Sequence, residues 1–391
     1  MNPPDVLSAH ALDDSVAAAL EVCKRDGSRR IAIAADGTAG RVNAGLAIAG
    51  AYRERIEGVS VVFIGTRHGV EQRMLEMAGE PLELIPGSPM AEEPWYRFAR
   101  TAFDCSRGAL AARGILTRHQ TQLVVGVGGV ASAGVLLAAR SLGLPTVIHE
   151  SSAVPGPTNR RLGRFAQRIC VGHELSRPWF RSTPTVVTGN PVRSELLAAN
   201  PPGARRPDPR KTRAHILVLS GVAGSAFVNE RIPKLLGKVV ELGIDLEVRH
   251  QCGEFDPEPI RDDYARANVK ACVDPFIDAI GHAYQRSDFA ISSAGAVTVA
   301  ELRAAGVPSL LIPNARCGRD LEVNATLSGS WWLREDAWRE NAVAMELAAT
   351  LRDRLKLDRD GRRMRERAPR FVGGRIVAEC EALIAATPVQ Q

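Results

Sequence analysis

From Arg30 onward, short runs of aliphatic and β-branched residues alternate with longer stretches whose apolar residues recur at helical spacing. This alternation suits βαβ units around a parallel sheet, because a strand covered on both faces is continuously apolar while its crossover helix is apolar on one side. A first series predicts strands at Ile31–Ala35, Val59–Ile64, Leu123–Val127, Thr146–His149 and Arg168–Val171. A second predicts Ile216–Ser220, Leu246–Gln251, Val269–Val273, Phe289–Ser292 and Ser309–Pro313. Between them, Ala198–Arg213 holds four prolines and five basic residues, which suits neither helix nor strand. The expectation is an α/β protein with two Rossmann-like, doubly wound parallel-sheet domains, 1–197 and 214–391, facing across a cleft. Residues 198–213 form the linker, and the C-terminal helix has room to pack back on the first domain.

Composition narrows this further. A chain of 391 residues is long for one core, and 45% hydrophobic with 24% charged residues excludes extensive disorder. The formal charge of +6 favours anionic partners, either phosphates or an acidic membrane surface. Nucleic acid is set aside, since no nucleic-acid module is present and aromatics are only 5%. Seven cysteines form no Cys-x-x-Cys pair and no metal-ligand cluster, which fits reduced thiols in a cytoplasm. Ser8–Cys23 is rich in Ala and Leu, but Asp13, Asp14 and Glu21 interrupt it, so it reads as a surface helix rather than a signal. No apolar run is long enough to span a bilayer, so any membrane contact is expected to be peripheral.

In an open parallel sheet, ligands bind beyond the carboxyl ends of the strands, so chemistry is expected in the turns there. Ala35-Asp-Gly-Thr-Ala-Gly-Arg41 leads into a helix-like stretch, and its glycines and helix N-terminus suit a phosphate, although such a turn also serves purely structural ends. Gly126-Val-Gly-Gly-Val-Ala-Ser-Ala-Gly134 invites close backbone approach after another strand. Glu150, in His149-Glu150-Ser151-Ser152, is either a carboxylate base or a residue that hydrogen-bonds its own loop. Ser220-Gly-Val-Ala-Gly-Ser225 suits diphosphate binding by backbone N–H groups. In Ser292-Ser-Ala-Gly-Ala-Val-Thr-Val-Ala-Glu301, Glu301 lies about one turn from Thr298, as a carboxylate that accepts from ribose hydroxyls would; the plain alternative is a solvated helix glutamate.

Many collinear segments then resemble one family. Phe63-Ile-Gly-Thr66, Gly126-Val-Gly-Gly129, Val147-Ile-His-Glu150, Val154-Pro-Gly156, Thr188-Gly-Asn-Pro-Val-Arg193, Pro275-Phe-Ile-Asp278, Gly295–Glu301 and Ala304-Ala-Gly-Val-Pro308 resemble the MurG family of GT-B glycosyltransferases over roughly Ile31 to Ser330. The resemblance implies the GT-B fold, with a UDP-sugar as donor substrate, no cofactor, no metal and a lipid-phosphate acceptor. Phe276 and Ile277 would contact the uracil, and Ala296, Val297 and Thr298 would line the diphosphate and ribose side. Glu301 would bind the ribose hydroxyls, while Gly224, Ser225 and Arg193 would lie near the donor phosphates. Arg193 alternatively forms an interdomain salt bridge. On the acceptor side, the resemblance points to Gly37, Thr38, Gly128, Gly129 and Ser152.

Departures from the family pattern shape the functional expectation. The family carries Gly-Gly-Thr-Gly-Gly-His where this chain has Asp36-Gly-Thr-Ala-Gly-Arg41, and an arginine cannot act as a base near neutral pH. Asp36 or Glu150 is then expected as the base, with Arg41 clamping an acceptor phosphate. Val222-Ala223 replaces Ser-Gln, Glu150-Ser-Ser152 replaces Glu-Gln-Asn, and Asp320-Leu321 replaces the Gln-Gln pair at the donor sugar. These changes imply a paralogue with its own substrate, as in biosynthesis of a phosphoglycolipid antibiotic of the moenomycin type. The alternatives are the cell-wall enzyme in a divergent lineage and an inactive homologue serving as a scaffold. Trp95, Phe98 and Phe103 interleave with arginines as an interfacial helix would, which the resemblance favours over ordinary inward packing. That places the protein peripherally on an anionic membrane, at the cytoplasmic face.

Overall fold

The computed structural model describes residues 29–67, 69–87, 95–200, 212–314 and 319–387. The expected surface helix at Ser8–Cys23 and most of the linker lie outside them. The first half forms a seven-stranded sheet from β1 (Arg30–Ala34), β2 (Ser60–Gly65), β3 (Leu82–Leu84), β4 (Leu123–Gly126), β5 (Thr146–Glu150), β6 (Arg168–Val171) and β7 (Thr185–Val187), in the order β3-β2-β1-β4-β5-β6-β7. The second half forms a six-stranded sheet from β8 (Ala214–Leu219), β9 (Leu246–Gln251), β10 (Lys270–Asp274), β11 (Phe289–Ser292), β12 (Ser309–Leu311) and β13 (Trp331–Trp332), in the order β10-β9-β8-β11-β12-β13. Every neighbouring pair is parallel. All ten expected strands are present within one or two residues. The three that were not expected, β3, β7 and β13, are edge strands of two or three half-buried residues, too short to show a period.

The alternating side chains of β1 explain why helices cover both faces of the first sheet. Ile31 and Ile33 join Val42, Ile48 and Tyr52 of the helix Ala39–Arg55, while Ala32 and Ala34 meet Ile115, Leu116, Val135 and Leu136 on the other face. Two segments tie the halves together. The short helix Ser194–Ala199 packs on the helix Ile280–Arg286, with Leu196 in the second half's core and Asn200 Nδ2 donating to Gly281 O at 3.2 Å. The last helix, Val372–Ala386, returns to the first half and lies on Ala39–Arg55, burying Val372, Ile376, Val377 and Cys380. A Cβ on Gly373 would stand 2.6 Å from Ala51 Cβ, so this crossing needs glycine. Arg29 and Arg168 fix the helix by pairing with Glu381 at 2.9 Å and Glu379 at 2.6 Å.

In both sheets the strand order reverses at one place, between β1 and β4 and between β8 and β11. The turns after these strands diverge to opposite faces, and the crevice between them is where an open α/β sheet binds ligands.

The return of the last helix can be tested by core truncation. Ile376→Ala, at a position 0% exposed, should lower unfolding free energy by about 2–5 kcal/mol. Leu355→Ala, at a position 74% exposed, should change it by less than about 0.5 kcal/mol. Equal, small effects in denaturant melts would show that the helix is not docked.

Candidate active site

At the switch point of the first sheet, the turn after β1 is held by a carboxylate from behind. Glu71, 0% exposed, accepts from Thr66 N–H at 3.0 Å, Thr66 O–H at 2.9 Å and Gly37 N–H at 3.1 Å. Gly37 adopts φ +86°, a conformation that favours glycine. Asp36 turns the other way, to the N-terminus of the helix Val130–Ser141, where its Oδ2 accepts from Val130 N–H at 2.9 Å. Burial, with Glu71 nearby, pushes its carboxyl up to about 6, against the pull of the Ala131 and Val130 N–H groups and Arg41.

Arg41 is half-buried among carboxylates. It donates to Asp36 O at 3.4 Å, and its charge lowers the carboxyls of Asp36, Glu150 and, from the second half, Asp320. Gly128 lies beside it: a Cβ there would stand 3.3 Å from both Arg41 Nε and Asn159 Nδ2. Glu150, 6% exposed, has both oxygens engaged, accepting from Ser152 N–H at 2.9 Å, Gly156 N–H at 3.1 Å and Asn159 Nδ2 at 2.9 Å. Burial raises its carboxyl, and these three donors and Arg41 oppose the rise. Both expected bases are thus seated as anchors: Asp36 on a helix N-terminus and Glu150 under its own loop. Thr38 and Gly37 are exposed at the rim, Gly129 is buried against Asp36, and Ser152 is half-buried between Glu150 and Ser176, whose Oγ donates to Ser152 O at 2.8 Å.

In the second half, Ser225 caps the helix Ala226–Glu241 by accepting Val228 N–H at 3.3 Å, while Gly224, at φ +81°, lets the turn press against Cys252 and Phe255. A fully buried chain supports this turn: Asn229 Nδ2 donates to Cys252 O at 3.0 Å, and its Oδ1 meets His250 Nε2 at 3.1 Å. Burial lowers His250 to about 3, so it stays neutral. Ile277 is buried, with its N–H donated to Gln251 Oε1 at 3.3 Å. Val222 and Val297 join the apolar cluster that contains Val42, and Phe276 packs on it, so the halves meet along the donor-side turns. Ala296 O accepts from Asn190 Nδ2 at 3.4 Å, and Thr298 is half-buried.

Glu301 is 3% exposed, so it is not a solvated helix residue. Its Oε1 accepts from Arg193 Nε at 2.8 Å and its Oε2 from Tyr284 O–H at 3.2 Å. Arg193 therefore takes the salt-bridge alternative, spending its Nε on Glu301. Asp320, in the first turn of the helix Arg319–Ser328, is half-buried and raised by that burial. Trp95, Phe98 and Phe103 belong to the helix Trp95–Arg118, but their side chains lie outside the described residues.

Sequence reasoning missed four residues that organise this cleft. Glu71 and Tyr284 are ordinary helix residues by pattern. Asn159 follows the Pro155-Gly156 turn without a motif of its own. Asn190, within Thr188–Arg193, donates to Ser151 O at 2.9 Å as well as to Ala296 O, and so bridges the halves.

Two facing parallel sheets with their helix N-termini at one cleft make up the two-domain GT-B architecture, and the family matches make it that of a glycosyltransferase. Residues 31–171 match the glycosyltransferase family 28 N-terminal domain and residues 215–329 its C-terminal domain. The UDP-N-acetylglucosamine--N-acetylmuramyl-(pentapeptide) pyrophosphoryl-undecaprenol N-acetylglucosamine transferase of Geotalea uraniireducens is 33% identical over 344 residues, 87% of this chain and 94% of the relative. Its counterpart in Halorhodospira halophila is 34% identical over 362 residues, 90% and 98% of the two chains. The crystal structure of Acinetobacter baumannii MurG superposes with a TM-score of 0.68 at 26% identity, over 90% of this chain and 99% of that one. The chain belongs to glycosyltransferase family 28 and, within it, to the MurG-like transferases. Among the described residues, no helix is long and apolar enough to cross a membrane.

The raised carboxyl of Asp36 sets a stability test. Because its folded value lies above its unfolded one, ionising it costs the native state above pH 6, and the cost vanishes below about pH 4. Asp36→Asn should therefore be more stable than wild type near pH 7–8 by on the order of 2 kcal/mol. The gap should close as the pH falls through about 6 to 4. A gap independent of pH would contradict the burial argument.

Proposed function

We propose that this chain moves a hexose-type sugar, N-acetylglucosamine or a close relative, from a UDP-sugar to a prenyl- or polyprenyl-phosphate-linked acceptor, inverting the anomeric carbon. The observation that carries the donor side is the buried Glu301 held between Arg193 and Tyr284 on a cleft-facing helix. A carboxylate has about four lone-pair positions, and these two donors use one on each oxygen, leaving a pair for the hydroxyls of a ribose. The turns at Gly224 and Gly295 precede helices with no acidic residue in the first turn, so their N–H groups suit a diphosphate leaving group without a metal or cofactor. Donor entry requires the halves to part where Val222, Phe276 and Val297 meet the first domain.

For the base we favour Asp320 over Asp36 and Glu150. It is half-exposed, burial raises its carboxyl toward the working pH, and Arg41 lies across the cleft to receive the acceptor phosphate. Arg41 and Asp320, at positions where the family has histidine and glutamine, support a specialised paralogue, and biosynthesis of a moenomycin-type phosphoglycolipid is one setting. Identity of 33–34% over nearly the whole length keeps wall synthesis in a divergent lineage as the second reading. An inactive homologue that binds nucleotide or lipid as a scaffold is separated from both by turnover, since it would bind UDP and transfer no sugar. The charge of +6 and the helix Trp95–Arg118 support a cytoplasmic protein held peripherally on the inner face of an anionic membrane.

Thermal-shift and calorimetric binding of UDP and UDP-sugars test the reading. Wild type should bind, and Glu301→Gln should weaken binding about tenfold. Asp320→Asn should bind UDP as wild type does while losing about a hundredfold in turnover. Absence of stabilisation by any uridine nucleotide would overturn the transferase reading.

A further inference from the structure

Of the four strand-to-helix turns at the two switch points, one differs from the rest. The helix Ala226–Glu241 is capped by its own Ser225, while Ala39–Arg55 and Ala296–Ala305 have neither a side-chain cap nor an acidic residue in the first turn. Val130–Ser141 likewise has no cap of its own, yet its N-terminus is filled by a carboxylate from the neighbouring turn, Asp36. Asp36 is 4% exposed, and its Oδ1 is buried without a hydrogen bond of good geometry. The fit is close: a Cβ on Gly129 would come within 1.9 Å of that oxygen.

A carboxylate at a helix N-terminus supplies the charge and oxygen acceptors that a bound phosphate would supply. With Asp36 in place, a further anion there meets an ionised neighbour in a poorly solvated position, where like charges repel strongly. Beside this turn the surroundings still suit a ligand. Asn159 Oδ1, on a residue 4% exposed, is buried without a partner, and Asn159 and Arg41 both adjoin Gly128. The charged groups around Asp36 are Arg41, on the helix that follows its turn, and Glu71 behind it. Glu150 and Asp320 share Arg41 with it.

We infer that Asp36 is an internal substitute for a substrate anion at the turn after β4, so that the first domain holds one acceptor phosphate through Arg41 and gains no affinity from a second, adjacent phosphate. The acceptor assignment rests on the transferase reading above; the filled helix N-terminus stands without it. Acceptor hydroxyls next to the phosphate find Asn159 Oδ1 as their acceptor.

Calorimetric titration of the full chain near neutral pH with inorganic phosphate and with pyrophosphate, excess UDP filling the donor half, tests this. Wild type should bind the two with similar strength, and Arg41→Met should lose both. Asp36→Gly and Asp36→Asn should each gain about tenfold or more for pyrophosphate and little for phosphate. Asp36→Asn, equal in size and still able to accept Val130 N–H, carries the test if Asp36→Gly does not fold. A wild-type preference of about tenfold for pyrophosphate, or folded Asp36 variants with the wild-type ratio, would overturn the inference. Failure of UDP to bind strikes the transferase reading instead, and the Arg41-dependent comparison of the two anions still reads out.

Discussion

A carboxylate taken out of water must find hydrogen-bond donors or give up its charge, and this cleft buries four of them. Asp36, Glu71, Glu150 and Glu301 are each at most 6% exposed. Parallel sheets make that possible, because they gather strand ends, tight turns and helix N-termini, all rich in unused N–H groups, along one rim. Each carboxylate then fixes a loop. Glu71 sets the turn after β1, Asp36 joins it to the turn after β4, Glu150 closes the loop after β5, and Glu301 gathers Arg193 and Tyr284 in the second half.

The same constraint links the two halves. Arg193 precedes a helix that packs on the second domain and reaches Glu301 there. Asn190 spans Ser151 and Ala296, and Asn324 accepts from Ala153 N–H at 3.3 Å. These polar contacts flank the apolar meeting of Val222, Phe276 and Val297 with the first helix. Arg41 acts on carboxylates of both halves, its charge felt by Asp36, Glu150 and Asp320.

The fold was legible because buried parallel strands are short, continuous apolar runs of β-branched and aliphatic residues, and all ten runs read that way are strands. The edge strands escaped because two or three half-buried residues carry no period. Glu301 and Arg193 were legible as residues of one site, but their pairing was not, since nothing in the spacing of two residues 108 apart announces it. Asp36 and Glu150 looked like bases because they are carboxylates at strand ends. Only the geometry shows that Val130 and Asn159 already engage them. Glu71 and Tyr284 gave no signal, because a lone glutamate or tyrosine on a helix is ordinary until a fold buries it.

Under the proposed function, the donor half holds a UDP-sugar while Arg41 brings a lipid-linked phosphate to it. The most direct test is UDP release from a panel of UDP-hexoses, with and without sugar acceptors linked to prenyl or polyprenyl phosphate. The account predicts UDP release that depends on the acceptor, with the new glycosidic bond inverted by NMR. UDP release that ignores the acceptor, or none with any pair under conditions where UDP binds, would contradict it.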